Sequence, residues 1–365
     1  MAHSHLTNLE LPQLLKRWLV SAVEAEASDL HLAADFPPTL RLYAALRDLN
    51  EPAIDADQLT ALLEQFCPEP LRDTLRTNRS VDFAFAHLIG GQTIRFRTNL
   101  FYAAGSLGAC FRVIPAKIPD FGWADFPVSL AKRLAACRDG MVILTGPTGS
   151  GKTTTLAMVV NLINQAGGQR IVSIEEPLEF LFPHVPNSVV SQREVGIDVP
   201  NFAEGLKNAL RQDPDVILVG EIRDRETAQI ALSASETGHL VFTTLHSRDA
   251  KGAITRYTDL FPNENQRDIR SQLALGLRAI VAQRLLPDVN PANKCHLALE
   301  VLWVTYPIAS AIRSGKFESI DNYLVTGSQD GMISFDESIR ELLASAKVSK
   351  HVAELFVRDP LILSR

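Results

Sequence analysis

Near the middle of the chain, Gly146-Pro147-Thr148-Gly149-Ser150-Gly151-Lys152-Thr153 carries the residue types and spacing that phosphate chemistry needs. The stretch fits G-x-x-x-x-G-K-[ST], a loop whose glycines let backbone amides turn inward around a polyphosphate. Lys152 would reach the β- and γ-phosphates, and the Thr153 hydroxyl would sit on Mg²⁺. The context suits the motif. Residues 141–145, Met-Val-Ile-Leu-Thr, read as an apolar strand. Residues 154–165 read as a helix with Leu156, Val159, Val160 and Ile163 on one face, and its N-terminus adds partial positive charge. The chain is expected to bind a nucleoside triphosphate.

Hydrolysis needs carboxylates at the far ends of neighbouring strands. Residues 171–174 form a short apolar run that leads into Glu175-Glu176-Pro177, and residues 215–220 form another that ends at Glu221. In a parallel sheet such strand-end acids lie in the ligand crevice, where they can position water on Mg²⁺ or take its proton. A single strand-end acid is usually just solvated; two of them after a P-loop strand favour the functional reading. Residues 240–244 read as a further strand flanked by His239 and His246. At the crevice end a neutral His246 could sense the γ-phosphate or contact a neighbouring subunit. With no cysteine or other third ligand beside them, the pair does not read as a metal site.

A second constellation lies earlier. Along residues 92–100, Ile94, Phe96 and Thr98 alternate with Arg95, Arg97 and Asn99, and residues 109–114 alternate on return. A turn centred on Ala104-Gly105 would set Arg97 opposite Arg112. Like charges so placed repel, and a nucleotide phosphate would relieve them. The ordinary reading of the same residues is two solvated arginines.

These residues need scaffolds. Residues 1–115 read as an α+β module: an amphipathic helix over 11–25 with Leu14, Leu15, Trp18, Leu19 and Ala22 on one face, strands over 27–32, 39–43 and 81–86, a second helix over 57–66, and a turn at Gly90-Gly91. Residues 116–122 read as a proline-spaced linker that permits rigid-body swinging. Residues 123–365 alternate strands and helices as a parallel sheet requires. From Lys251 onward the chain is expected to be mostly helical, with residues 269–286 the longest apolar-periodic run.

Composition narrows the field. Of 365 residues, 46% are hydrophobic and 21% charged, enough for packed cores in two domains. A net charge of −6 argues against nucleic acid as the main partner. The four cysteines form no CxxC pair, which fits a reducing compartment and neither a disulfide framework nor a zinc cluster. No uncharged apolar run reaches the ~18 residues of a membrane helix. The start, Met-Ala-His-Ser-His, lacks the basic flank of a secretion signal.

The second domain resembles the PilT/PilU family of type IV pilus retraction ATPases, within the secretion-ATPase superfamily. GPTGSGKTTT resembles the family's Walker A, IVSIEEPLEF its aspartate box, SQREVGIDVPNFAEGLKNALRQDPDVILVGEIRDRET its Walker B region, and TGHLVFTTLHSRDA its histidine box. ASDLHLAADFPPTLRL and RFRTNLF…ACFRVIP resemble the N-terminal domain signature and arginine-bearing hairpin, so the similarity covers nearly the whole chain. The resemblance implies a PAS-like N-terminal α+β domain before a RecA-like P-loop ATPase domain, an α/β class with a helical C-terminal part. It implies that residues 146–154, through Thr154, bind ATP, and that Thr153 and Glu221 serve Mg²⁺. Glu175 would activate water, Glu221 would be the Walker B glutamate, and His239 and His246 the histidine-box pair. Arg97 and Arg112 would complete the nucleotide site.

The implied assembly is a homohexameric ring at the inner face of the cytoplasmic membrane. It would act on an inner-membrane pilus platform protein, beside a paralogous retraction ATPase, with no membrane insertion and no nucleic acid. ATP-driven opening and closing would power pilus retraction and twitching motility. Two departures stand out. Glu176 replaces the usual aspartate of its box. In Pro307–Lys316, Ala309 and Ser314 replace an arginine and a glutamate of the family's AIRNLIREGK-like segment. These leave an accessory PilU-like role open. An assembly or secretion motor of the PilB or GspE kind would carry a longer N-terminal region and a four-cysteine insertion. A conjugative-secretion ATPase would lack the SDLHL start, a RecA-like nucleic-acid translocase predicts basic pore loops, and a scaffold would bind nucleotide without hydrolysis.

Overall fold

The computed structural model describes residues 11–42, 45–114, 117–290 and 294–364. The chain divides between Lys117 and Ile118 into two compact units. In the first, α1 (Gln13–Glu24) buries Leu15, Trp18, Leu19 and Ala22, the 3–4 spacing of one helix face, while Leu14 stays exposed. Strands β1 (Asp29–Leu32), β2 (Thr39–Leu42) and β3 (Ala45–Asp48) precede helices α2 (Ala56–Phe66) and α3 (Glu69–Asn78). Long strands β4 (Ser80–Ile89), β5 (Gln92–Ala103) and β6 (Ser106–Ile114) complete the unit. β3 and α3 have no counterpart in the sequence reading. Cys67-Pro68 does end α2, but a proline in the first turn of α3 costs no hydrogen bond, so a new helix starts at once. Tyr43, expected in a strand, Pro115, expected at the end of the first module, and Ala116, expected in the linker, lie outside the described residues.

The six strands pair antiparallel in the order β3-β2-β1-β6-β5-β4. One sheet face packs on the helices through an aromatic cluster, with Phe85 5.1 Å from both Phe66 and Phe96 between ring centroids. Phe96 and Phe111 point into this core, so strand alternation sends Arg97 and Arg112 to the other face.

The second unit opens with α4 (Val128–Ala135) and the strand–helix pair β7 (Gly140–Thr145) and α5 (Lys152–Ala166). It continues through β8 (Arg170–Glu175), β9 (Val189–Glu194), α6 (Phe202–Ala209), β10 (Val216–Val219), α7 (Arg225–Glu236) and β11 (Leu240–Leu245). Then come α8 (Ala250–Asp259), α9 (Gln266–Gly276), β12 (Leu277–Leu286), β13 (His296–Trp303), α10 (Tyr306–Ser314), α11 (Ser319–Thr326), α12 (Phe335–Ala344) and α13 (Lys350–Phe356). The sheet order is β13-β12-β7-β11-β10-β8-β9, parallel except for β13. β7, β10 and β11 are buried at every residue, as strands covered by helices on both faces must be.

The C-terminal part corrects one expectation. The apolar run over 269–286 is not one helix: α9 stops at Gly276 and the rest is β12, paired with β7 on one side and β13 on the other. A strand buried on both faces shows no alternation, so its apolar pattern does not separate it from a helix. Helices α12 and α13 pack on β12 and β13 through a small core of their own, built on Ala282, Leu286, Ala298, Phe335 and Ile339. No helix among the described residues is long and apolar enough to cross a membrane.

Candidate active site

Because β7, β8, β10 and β11 run parallel, their carboxyl ends meet along one edge. β7 runs into the glycine loop at 146–151, and α5 begins at Lys152. β8 ends on Glu175, β10 leads through Gly220 to Glu221, and β11 leads to His246. Chain topology thus gathers residues up to a hundred positions apart.

The loop is built to sit close to its neighbours. At Gly146, φ is +148° and a Cβ would overlap the Gln283 carbonyl oxygen of β12 and lie 2.6 Å from Ser150 Oγ. Only glycine fits there. The buried Ser150 hydroxyl has no hydrogen-bond partner among the described residues. The buried Lys152 ammonium donates to the loop's own carbonyls, Gly146 O at 2.9 Å and Pro147 O at 3.0 Å. Burial pulls its pKa below the usual lysine range, against the opposing pull of Glu221 and Glu179. A cation held this way gains by taking an anion as partner, so loop, lysine and orphaned hydroxyl fit a phosphate chain. The half-buried Thr153 and the nearby Glu221 carboxylate supply oxygen donors of the kind Mg²⁺ takes.

Around the two strand-end acids runs a charge network. Glu175 is 5% exposed, with Gln192 Nε2 3.5 Å from its Oε1. Glu221 pairs with the Arg223 guanidinium and lies 3.4 Å from His246 Nε2. Arg223 also reaches Glu176 at 3.2 Å, so the longer acid that replaces the usual aspartate has a partner of its own. Burial first, then Lys152, push the His246 pKa down, while Glu221 pulls it up. The net direction favours a neutral imidazole.

His239 stands elsewhere. It precedes β11, at the opposite strand end from His246, with its Nδ1 3.1 Å from the Ala234 carbonyl oxygen. In the first unit the hairpin turns at Ala104-Gly105, and β5 and β6 set Arg97 opposite Arg112. Their repulsion is met by carboxylates: Arg112 Nε donates to buried Asp29 at 3.0 Å, and Arg97 lies 3.9 Å from Asp82.

Sequence reasoning missed part of the site. The glycine loop opens on a cleft of about 660 Å³ whose other walls are His246, Ser247, Arg248, Arg284, Leu285 and Phe356. Arg284 and Leu285 come from the misread β12, and Phe356 is the last residue of α13. No local signal marks them; Arg223 alone, two residues past a strand-end acid, was within reach of sequence reasoning.

The family model described as "Type II/IV secretion system protein" matches residues 7–322. The chain is 37% identical over 345 residues to the type IV pilus retractation ATPase PilT of Pseudomonas aeruginosa, covering 94% of this chain and 97% of that protein. It is 36% identical over 316 residues to a twitching motility protein of Neisseria gonorrhoeae, covering 87% and 83%. A crystal structure of the pilus retraction motor PilT with bound ADP superposes with a TM-score of 0.81 at 38% identity, over 95% of this chain and 98% of that one.

Proposed function

The chain belongs to the Type II/IV secretion system protein family as a PilT/PilU-type ATPase, and we propose that it hydrolyses ATP to power type IV pilus retraction. One observation carries the reading. A glycine loop with a buried lysine faces two carboxylates on the ends of adjoining parallel strands, in the same fold as an ADP-bound retraction motor.

In this reading the loop amides and Lys152 hold the phosphates, and desolvation strengthens that grip. Thr153 and Glu221 would hold Mg²⁺, and the ion would supply positive charge to the phosphate chain. Glu175 orients the attacking water and takes its proton, sheltered in a site where a carboxylate can act as base. His246, neutral and beside Glu221, offers a hydrogen bond at the phosphate end. Arg97 and Arg112, which belong to the first unit, take their proposed role in completing the nucleotide site from the resemblance alone. His239 bonds locally to the Ala234 carbonyl oxygen at the other end of β11, and its role is likewise assigned from the resemblance. A homohexameric ring, a platform-protein partner and a place at the inner face of the cytoplasmic membrane belong to the same proposal. Phosphate release by the purified protein with ATP and Mg²⁺, together with lost twitching in a deletion strain, tests it. A protein that releases no phosphate refutes the motor.

An accessory role rests on α10. Ile308, Ala311 and Ile312 are buried, which leaves Ser310, Arg313 and Ser314 on the open face. Ser314 hydrogen-bonds its own helix at Ser310 O, 2.8 Å. That face has lost the glutamate of the retraction segment, and Ala309 is partly buried against the core. Restoring both residues, A309R with S314E, should raise retraction in cells without changing ATP turnover; if retraction stays the same, the accessory reading loses its support.

A further inference from the structure

The phosphate loop accounts for only one side of the cleft. Across from it stands an apolar wall made by Leu285 and the ring of Phe356, with Arg248 and Arg284 beside them. Phe356 packs partly on the small core under α12 and α13 and is left half-exposed towards the cleft. A lone half-exposed aromatic on a chain-end helix is ordinary; this one is held in place. Directly after it, the Arg358 and Asp359 amides donate to the Asp336 carboxylate at 2.8 and 3.1 Å. The Arg358 guanidinium bridges three acids: Asp249 at 2.7 Å, Glu300 at 3.5 Å and Asp321 at 3.7 Å.

That clamp fastens the end of α13 to the loop after His246. Asp249 caps α8 by accepting from Gly252 N at 2.7 Å, and Glu300 accepts from Ala250 N at 2.8 Å. Arg284 closes the arrangement from the other side, donating to the Arg248 carbonyl oxygen and lying 4.9 Å over the Phe335 ring. The wall is therefore prearranged, and a flat apolar ligand that docks on it loses little to reordering.

We infer that Phe356, positioned by the Arg358 clamp, is the platform for the purine base of the nucleotide, so that the C-terminal helix sets affinity for the nucleoside end. The inference rests on reading the glycine loop as the phosphate site. Phosphates anchored at residues 146–152 leave the nucleoside to extend along the same cleft, and its remaining wall offers an aromatic face and cations that suit a π-system.

The test titrates the full-length protein with ATP and with inorganic tripolyphosphate by calorimetry. F356A should weaken ATP binding about 10- to 100-fold, the range of a lost base–aromatic stack, and leave tripolyphosphate binding unchanged. F356W should restore ATP affinity, and R358A should weaken ATP selectively by freeing the helix end. Unchanged tripolyphosphate affinity also reports that the site is folded. Wild-type ATP affinity in F356A, or equal losses for both ligands, overturns the inference. K152A separates this from failure of the site itself: if K152A still binds both ligands, the nucleotide reading falls, whereas if K152A loses both and F356A loses neither, only the platform falls.

Discussion

The two units place their charges differently. In the second, the chemistry sits at strand ends, where the chain leaves the buried strands β8, β10 and β11 and side chains converge in one crevice. In the first, the arginines lie across the open face of an antiparallel sheet, each beside a carboxylate. Strand ends bury their acids; an open face leaves cations half-solvated and pairable. Chemistry that needs a desolvated base belongs to the first kind of site, and charge that must be lent to a ligand and withdrawn suits the second.

The sharpest way to break this contrast is at Glu175. E175Q should keep nucleotide affinity and lose turnover by about a thousandfold, the scale of a removed general base; phosphate-release kinetics beside a binding titration decide it, and retained turnover would leave the strand end without a base. K152A should cost nucleotide affinity on the order of a hundredfold, because a desolvated charge-assisted contact is lost. Equilibrium titration with a fluorescent ATP analogue reads that loss.

On the open face, R97A and R112A should each spare binding and lower turnover about tenfold. They should part company in stability. Arg97 pairs at 3.9 Å with the exposed Asp82, a contact worth little, whereas Arg112 covers the buried Asp29. R112A should therefore lose about 1–2 kcal/mol that R97A keeps, visible in denaturant titrations. Equal stability would mean Asp29 is served by other groups.

The smallest effect concerns Glu300. Burial raises its pKa from the usual 4.5 to about 7, against the pull of the Ala250 amide and Arg358, with Asp249 and Asp321 adding to the rise. A folded pKa above the unfolded one favours the protonated form. Its stabilisation is full below the unfolded value and is lost as pH rises through about 7, by no more than roughly 3 kcal/mol. Melting curves between about pH 5 and pH 9 should fall for the wild type and flatten in E300Q.

Much of this was legible in the sequence, for physical reasons. The glycine loop needs its glycines whatever surrounds it, and apolar runs ending in an acid announce a buried strand with a polar tip. The Arg97–Arg112 pairing followed from a two-residue turn and strict alternation, and the register bears it out. The sequence alone did not supply Asp29 as the partner of Arg112, because 83 residues separate them. Nor did it separate β12 from the helix before it, since the apolar pattern of residues 269–286 runs on through Leu277 and no proline marks the break. The cleft wall at Phe356 was out of reach for the same reason as Asp29: only the folded chain brings α13 to the loop.

β12 has one more consequence. Gly146 rests against the Gln283 backbone, while two residues along Leu285 faces the cleft and Leu286 sits under the C-terminal helices. A single ribbon thus borders the anion cradle and the tail at once. Any rearrangement of that cradle therefore has a direct mechanical route to α12 and α13, and loosening those helices would be felt at the nucleotide.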